Sequence, residues 1–302
     1  MNHTLKTYLP TAVILLTIAI ILFFARILAW QISPVVDLPP LTPLKELILI
    51  VVGLVAGFLG GIIGTGGCSV MLPILHFWMD YPAQIAVGTT LFAVIFTAIS
   101  GGFGHLIRGN LEKRATLWLG LSGIAGVLLG SWLFTFLAAQ STLLGFILGI
   151  LFLWPALRMI WEGIRQSGLP PRQGNRIHAS AWGLALFGFL VGIATGIAGL
   201  GGGYALVPGL IYLFSAPVYL TMGTSLATMI PLALVGGGIK LAGGFVELTT
   251  GLLLAAGTVI GAQVGAAVIK RFKPHTLKLI FGLYFLYVSV KFITAFFGIR
   301  VW

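Results

Sequence analysis

The chain has 302 residues, of which 59% are apolar and only 8% are Asp, Glu, Lys or Arg. Soluble domains carry roughly 25% charged residues, so a water-soluble enzyme, a coiled coil and a disordered chain are all excluded. The formal charge of +11 comes from 17 basic residues scattered between apolar runs, which reads as topology signals and not as a nucleic-acid surface.

In chain order, apolar runs fall at 9–30, 45–65, 68–79, 84–105, 115–138, 141–162, 179–200, 203–215, 218–240, 246–270 and 276–298. Most are long enough to cross a bilayer. The runs 68–79 and 203–215 are not: at ~1.5 Å per residue each covers little more than half of a ~30 Å hydrocarbon core, so both are expected to be half-helices that dip in and return. The first run is too long for a signal-peptide core and no A-x-A site follows it, which favours a retained helix. The expectation is an all-α polytopic membrane protein: an N-terminal helix and loop (1–43), a first repeat (44–165), a cytoplasmic linker (166–178) and a second, inverted repeat (179–302).

Basic residues give the sidedness. Lys6, the group Arg108, Lys113 and Arg114, the group Arg158, Arg165, Arg172 and Arg176, and the group Lys270, Arg271, Lys273 and Lys278 are placed in the cytoplasm, with the N-terminus. Arg26, Lys45, Lys240, Lys291 and Arg300 are scattered, and Lys45 and Lys240 fall on the side that the rule disfavours.

A shift of 135 residues aligns the sequence with itself. Segment 57–130 matches 192–265 at 23 of 74 positions without a gap, including Pro73 with Pro208, Pro82 with Pro217, Gly88-Thr89 with Gly223-Thr224 and Glu112 with Glu247. Glycine bias explains some matches, but not prolines, Gly-Thr pairs and a glutamate in one register. Counting spans through the charged loops makes the copies inverted, the arrangement of secondary transporters, which puts equivalent points of both halves face to face at the midplane.

Each copy breaks at the same place, Gly64-Thr65-Gly66-Gly67-Cys68-Ser69 and Gly199-Leu200-Gly201-Gly202-Gly203-Tyr204, just ahead of a half-helix. A helix start in a low-dielectric medium carries unpaired N–H groups and a fractional positive charge, for which an anion is a natural partner. Thr65, Ser69 and Tyr204 add hydroxyl donors. Glycine used only for close helix packing is the competing explanation, and it fits the Gly126/Gly130 and Gly261/Gly265 pairs better than the turns. Thr89-Thr90 and Thr224-Ser225 are a second matched pair, suited to lining a polar path or to bonding helix carbonyls. His105 and Lys240 hold equivalent positions near helix ends, where either attracts an anion. His105 also titrates in the physiological range, while Lys240 is the stronger candidate for interfacial snorkelling. His76 stands on the first half-helix opposite Ile211, and Arg108 and Arg158 read as topology determinants.

The runs GFLGGIIGTGGCSVMLP, AVGTTLFAVIFTAISGGFGHLIRGN, GIATGIAGLGGGYALVPGLIYL and MGTSLATMIP resemble the TauE/SafE family of membrane permeases over about residues 45–298. The resemblance implies a small sulfur-containing anion as substrate, sulfite or an organosulfonate. The first turn departs from the family pattern, with Cys68 where a third glycine is expected, and Cys68 and Ser69 are expected to retune that half of the site.

The functional expectation is a bacterial inner-membrane exporter working by alternating access. Its substrate-binding residues would be Gly64, Thr65, Gly66, Gly67, Cys68, Ser69, Thr89, Thr90, His105, Gly199, Gly201, Gly202, Gly203, Tyr204, Thr224, Ser225 and Lys240. Its partners would be the anion and the bilayer, with proton coupling through His105 open, no nucleic acid and no cofactor or metal. A passive anion channel stays as the alternative. A membrane-embedded enzyme ranks below it, because Asp37, Glu46, Asp80, Glu112, Glu162 and Glu247 stand at span ends or in loops with no pairing at metal-ligand spacing.

Overall fold

The computed structural model describes residues 3–27, 38–165, 174, 176–269 and 274–299. Arg172, Lys270, Arg271, Lys273 and Arg300, and the side chains of Lys6, Arg26 and Lys278, on which part of the charge argument rests, lie outside the described residues. Among these residues the chain is entirely helical: α1 (His3–Ile27), α2 (Pro43–Ile63), α3 (Cys68–Trp78), α4 (Ala83–Leu106), α5 (Lys113–Ala138), α6 (Ser141–Arg165), α7 (Ala181–Ala198), α8 (Gly203–Tyr212), α9 (Val218–Ala242), α10 (Leu248–Val268) and α11 (Pro274–Phe296). Seven of them are long and apolar enough to cross a membrane. The two half-helices, α3 and α8, have 11 and 10 residues.

Local chemistry sets the ends. Thr42, Glu112, Ser180 and Glu247 each accept a bond from the first turn of α2, α5, α7 and α10, which satisfies N–H groups that a helix start leaves open. Pro82 and Pro217 open α4 and α9. α2 and α7 end on Gly64 and Gly199, both left-handed, with φ of 81° and 65°.

Packing is exchanged between the two copies. α2 lies against α10 and α5 against α7, so the first long helix of each copy packs on the fourth helix of the other. Small residues make this contact. A Cβ on Gly57 would sit 2.4 Å from the Thr258 carbonyl oxygen, and one on Gly192 would sit 2.2 Å from that of Gly123. Gly57 and Gly192 are equivalent positions, as are Gly123 and Thr258, so one close approach is built twice. The Gly126/Gly130 and Gly261/Gly265 pairs do the same on the opposite faces, against Phe189, Gly192 and Ile193 and against Leu54 and Phe58. Such close backbone approach is how membrane helices gain contact without a hydrophobic driving force between them.

Reciprocity extends to polar contacts. The Thr224 hydroxyl accepts from the Glu112 N–H (3.0 Å) and the Thr89 hydroxyl from the Glu247 N–H (2.9 Å). Asp80 and Ser215, again equivalent, share positive φ values of 59° and 53° after the two half-helices. Contacts of each copy are thus matched by reciprocal contacts of the other. α4 lies at the centre, with 89% of its apolar window buried, whereas α2, α5, α6 and α7 expose apolar stripes such as Leu117, Leu121, Leu128, Trp132 and Phe136 on α5. α1 is peripheral, and its Ile18 packs against Leu252, Ala255 and Val259 of α10.

Candidate functional site

The two glycine turns meet in the interior, and residues 64–69 and 199–204 are buried throughout. Gly66, Gly67, Gly201 and Gly202 all have φ between 67° and 84°, a left-handed region that side chains avoid, so glycine is needed to double the chain back within four residues. Gly67 and Gly202 cap α3 and α8 without any side-chain hydrogen bond. Each turn packs on the opposite copy. A Cβ on Gly64 would meet the Met222 backbone at 2.8 Å, and one on Gly199 would meet the Val87 carbonyl oxygen at 2.5 Å. The Cys68 thiol donates to the Leu200 carbonyl oxygen, joining the turns directly. The point between Gly66 and Gly201 is filled by Met229 and Val94, which are themselves equivalent positions and stand over both glycines.

The polar residues singled out in the sequence hold this junction together. α2 and α7 stop at Ile63 and Ala198, so carbonyls in their last turns lose helical partners. His105 Nε2–H donates to the Gly61 carbonyl (2.9 Å), and the Lys240 ammonium donates to the Gly196 carbonyl (2.5 Å). These are one interaction made twice, with different donors. Lys240 is fully buried, with its ammonium 4.3 Å from the centre of the Phe134 ring, and this corrects the snorkelling expectation. Ser225 Oγ donates to the Gly64 carbonyl (2.8 Å), while Thr90 Oγ1 bonds back to Ala86 in its own helix (2.7 Å). Thr89 and Thr224, with no exposed surface, bond the opposite copy as described above. In this conformation none of these six side chains lines the cavity beside the turns.

That cavity, of about 60 Å³, runs along one face of α8. Tyr204, Val207, Pro208, Ile211 and Tyr212 line it at helical spacing, so it extends ~12 Å from the second turn to the end of the half-helix. Thr65, from the first turn, closes its inner end. The lining is apolar apart from hydroxyls, and the buried Tyr204 hydroxyl has no hydrogen-bond partner among the described residues. A buried hydroxyl without a partner costs about 1–3 kcal/mol, so it marks a place where another molecule can repay that cost. Ser69, the equivalent of Tyr204, is buried on the α3 side, where the corresponding face is packed shut. There, the His76 ring stacks on Phe292 (centroids 5.3 Å) and Phe77 packs against the same ring (4.6 Å). His76 Nδ1 bonds the Tyr81 carbonyl oxygen (2.8 Å).

The two turns that the sequence singles out do meet, but Met222, Tyr212 and Tyr219 on the cavity wall and Met229 and Val94 at the junction do not stand out in the sequence. The signal for the last two was present, since they occupy equivalent positions, but an apolar pair in an apolar protein does not stand out.

Seven membrane-length helices among the described residues, two buried half-helices and a cavity along α8 that reaches the first turn define a multi-pass membrane protein. The family model "Sulfite exporter TauE/SafE" matches residues 49–292, and the chain belongs to that family. It is 31% identical over 223 residues to "Probable membrane transporter protein YdhB" of Bacillus subtilis (strain 168), covering 73% of this chain and 89% of that one. It is 24% identical over 269 residues to "Probable membrane transporter protein YunE" of the same organism, covering 82% and 96%. A segment of 71 residues, 24% of this chain and 16% of the relative, is 37% identical to "Sulfite exporter TauE/SafE family protein 6" of Arabidopsis thaliana. No solved structure matches the chain.

Proposed function

We propose that this membrane transporter exports a small sulfur-containing anion across the bacterial inner membrane by alternating access, with its two repeats inverted across the bilayer and its N-terminus in the cytoplasm. The observation that carries this reading is the unpartnered Tyr204 hydroxyl, buried at the inner end of a cavity where two uncapped helix starts converge. The anionic group would rest against Thr65, Tyr204 and the amide-rich turns 64–67 and 199–202. The apolar lining of Val207, Ile211 and Met222 supports an anion with a short hydrocarbon body, an organosulfonate, ahead of bare sulfite. His105, Lys240 and Ser225 act as positioning residues, since each holds a carbonyl at the base of a turn. Commitment of His105 to Gly61 favours that role over proton relay. An inside-negative potential would drive anion export, at ~2.3 kcal/mol per charge per 100 mV.

Aromatic packing over α3, opposite an accessible face on α8, supports a transporter over the passive channel, which needs both sides open together. Flux of radiolabelled sulfite and sulfoacetate into proteoliposomes tests the reading. Saturable uptake that Tyr204→Phe weakens is the expected result, and flux that never saturates would identify a channel.

A further inference from the structure

The cavity wall changes from buried to half-exposed between Tyr204 and Tyr212, so its mouth lies at the end of α8. A cation stands there. The Arg158 guanidinium of α6 lies 4.5 Å from the centre of the Tyr212 ring, and its Nε is 2.7 Å from the Glu162 carboxylate, whose side chain is fully buried. The next residue, Met159, lines the cavity itself.

The other half of the molecule repeats this arrangement. Phe77, at the end of α3, is the equivalent of Tyr212, and the Lys291 ammonium of α11 lies 4.8 Å from the centre of its ring. α11 is to the second copy what α6 is to the first, so each half-helix ends under a cation supplied by the last helix of the opposite copy. Arg158 and Lys291 are offset by two places in the 135-residue register, since the exact counterpart of Arg158 is Ile293. The same contact has therefore been reached from different positions. A topology determinant requires only a charge near a helix end. It does not require that charge to lie over aromatic rings at the end of a half-helix in both halves, Arg158 over Tyr212 and its own neighbour Trp161, Lys291 over Phe77 and Trp78.

We propose that Arg158 and Lys291 are the anion-selecting cations of two mouths, Arg158 at the accessible α8 mouth and Lys291 at the α3 mouth that Phe77 and Phe292 close. The proposal rests on the transport reading and assigns charge selection to it. Lys291 raises the local concentration of anions, while Arg158 offsets the Glu162 carboxylate that would otherwise repel them, before the substrate slides along the apolar face to the turns. Thr65 and Tyr204 carry no formal charge, so the mouths act on charge before the fractional positive charge of the helix starts is reached.

The test is sided transport of sulfoacetate in proteoliposomes with the protein inserted in one orientation, comparing unaltered protein with Arg158→Gln, Arg158→Lys and Lys291→Gln. Arg158→Gln is expected to raise the half-saturation concentration roughly tenfold for substrate presented at one face, with the maximal rate and the opposite face unchanged. Lys291→Gln is expected to do so at the opposite face only, and Arg158→Lys to restore most of the loss. Raised salt should shrink these differences. Equal effects on both faces, or half-saturation unchanged in both variants, would overturn the assignment, as would a loss confined to the amount of folded protein with Arg158→Lys no better than Arg158→Gln. Absence of saturable anion flux in the unaltered protein would instead defeat the transport reading beneath it.

Discussion

Tyr204 is where stability and the proposed anion binding come apart, because its hydroxyl has no hydrogen-bond partner among the described residues. Tyr204→Phe removes a buried group without a partner, so thermal melting of the purified protein should stay level or rise, by the equivalent of about 1 kcal/mol. Anion affinity should fall by about tenfold in the same sample, the loss of one good hydrogen bond to a charged group. A destabilised variant that binds normally would reverse that assignment. Thr89 and Thr224 should behave in the opposite way. Each bonds a backbone N–H of the other copy, and Thr89→Val and Thr224→Val should each cost about 0.5–1.5 kcal/mol in denaturant unfolding, with nearly equal losses. Unequal losses would show that the two contacts differ in spite of their matched geometry. At this scale the sequence was a partial guide. It picked out His105, Lys240, Thr89 and Thr224 correctly as equivalents, but their partners are backbone carbonyls and amides of distant segments, which no side-chain pattern reports.

Helices were the most legible level. The eleven apolar runs correspond to the eleven helices found among the described residues, because in lipid every backbone group must be satisfied within its own segment and length alone separates a span from a half-helix. What the runs did not reveal is that partners are exchanged, α2 with α10 and α5 with α7. Glycines at i, i+4 spacing indicate a close contact, yet they do not name the helix on its other side. That contact has little tolerance. Gly192→Leu would drive a side chain into the Gly123 carbonyl oxygen, and separating α5 from α7 to admit it should cost about 1–3 kcal/mol or more. The expected outcome is lower recovery of monodisperse protein and a depressed melting temperature. By contrast, Gly238→Ala, on α9, meets no atom within 4 Å and should be neutral in the same assay.

For the molecule as a whole, the two copies share many contacts but not one state. The α8 face is accessible and the α3 face is packed by His76, Phe77 and Phe292, an inequality whose only trace in the repeat is unlike pairs such as His76 with Ile211 and Ser69 with Tyr204. It arises from side-chain packing against α6 and α11, outside the part of the repeat that aligns. In a Cys68→Ala background, a single cysteine at Ile211 should react with a membrane-impermeant thiol reagent from one side, and substrate should protect it. A cysteine at His76 should react only from the other side and more slowly. Labelling of both from the same side would contradict inverted halves.

All of this depends on an anion seated where the two turns converge. Selenite replaces sulfur by a strong anomalous scatterer, so crystals of the protein soaked in selenite report the position of the ion directly. The account predicts a selenium peak within hydrogen-bond reach of the Thr65 and Tyr204 hydroxyls, lost in Tyr204→Phe crystals. A peak elsewhere, or none in protein shown to carry selenite across a membrane, would contradict it.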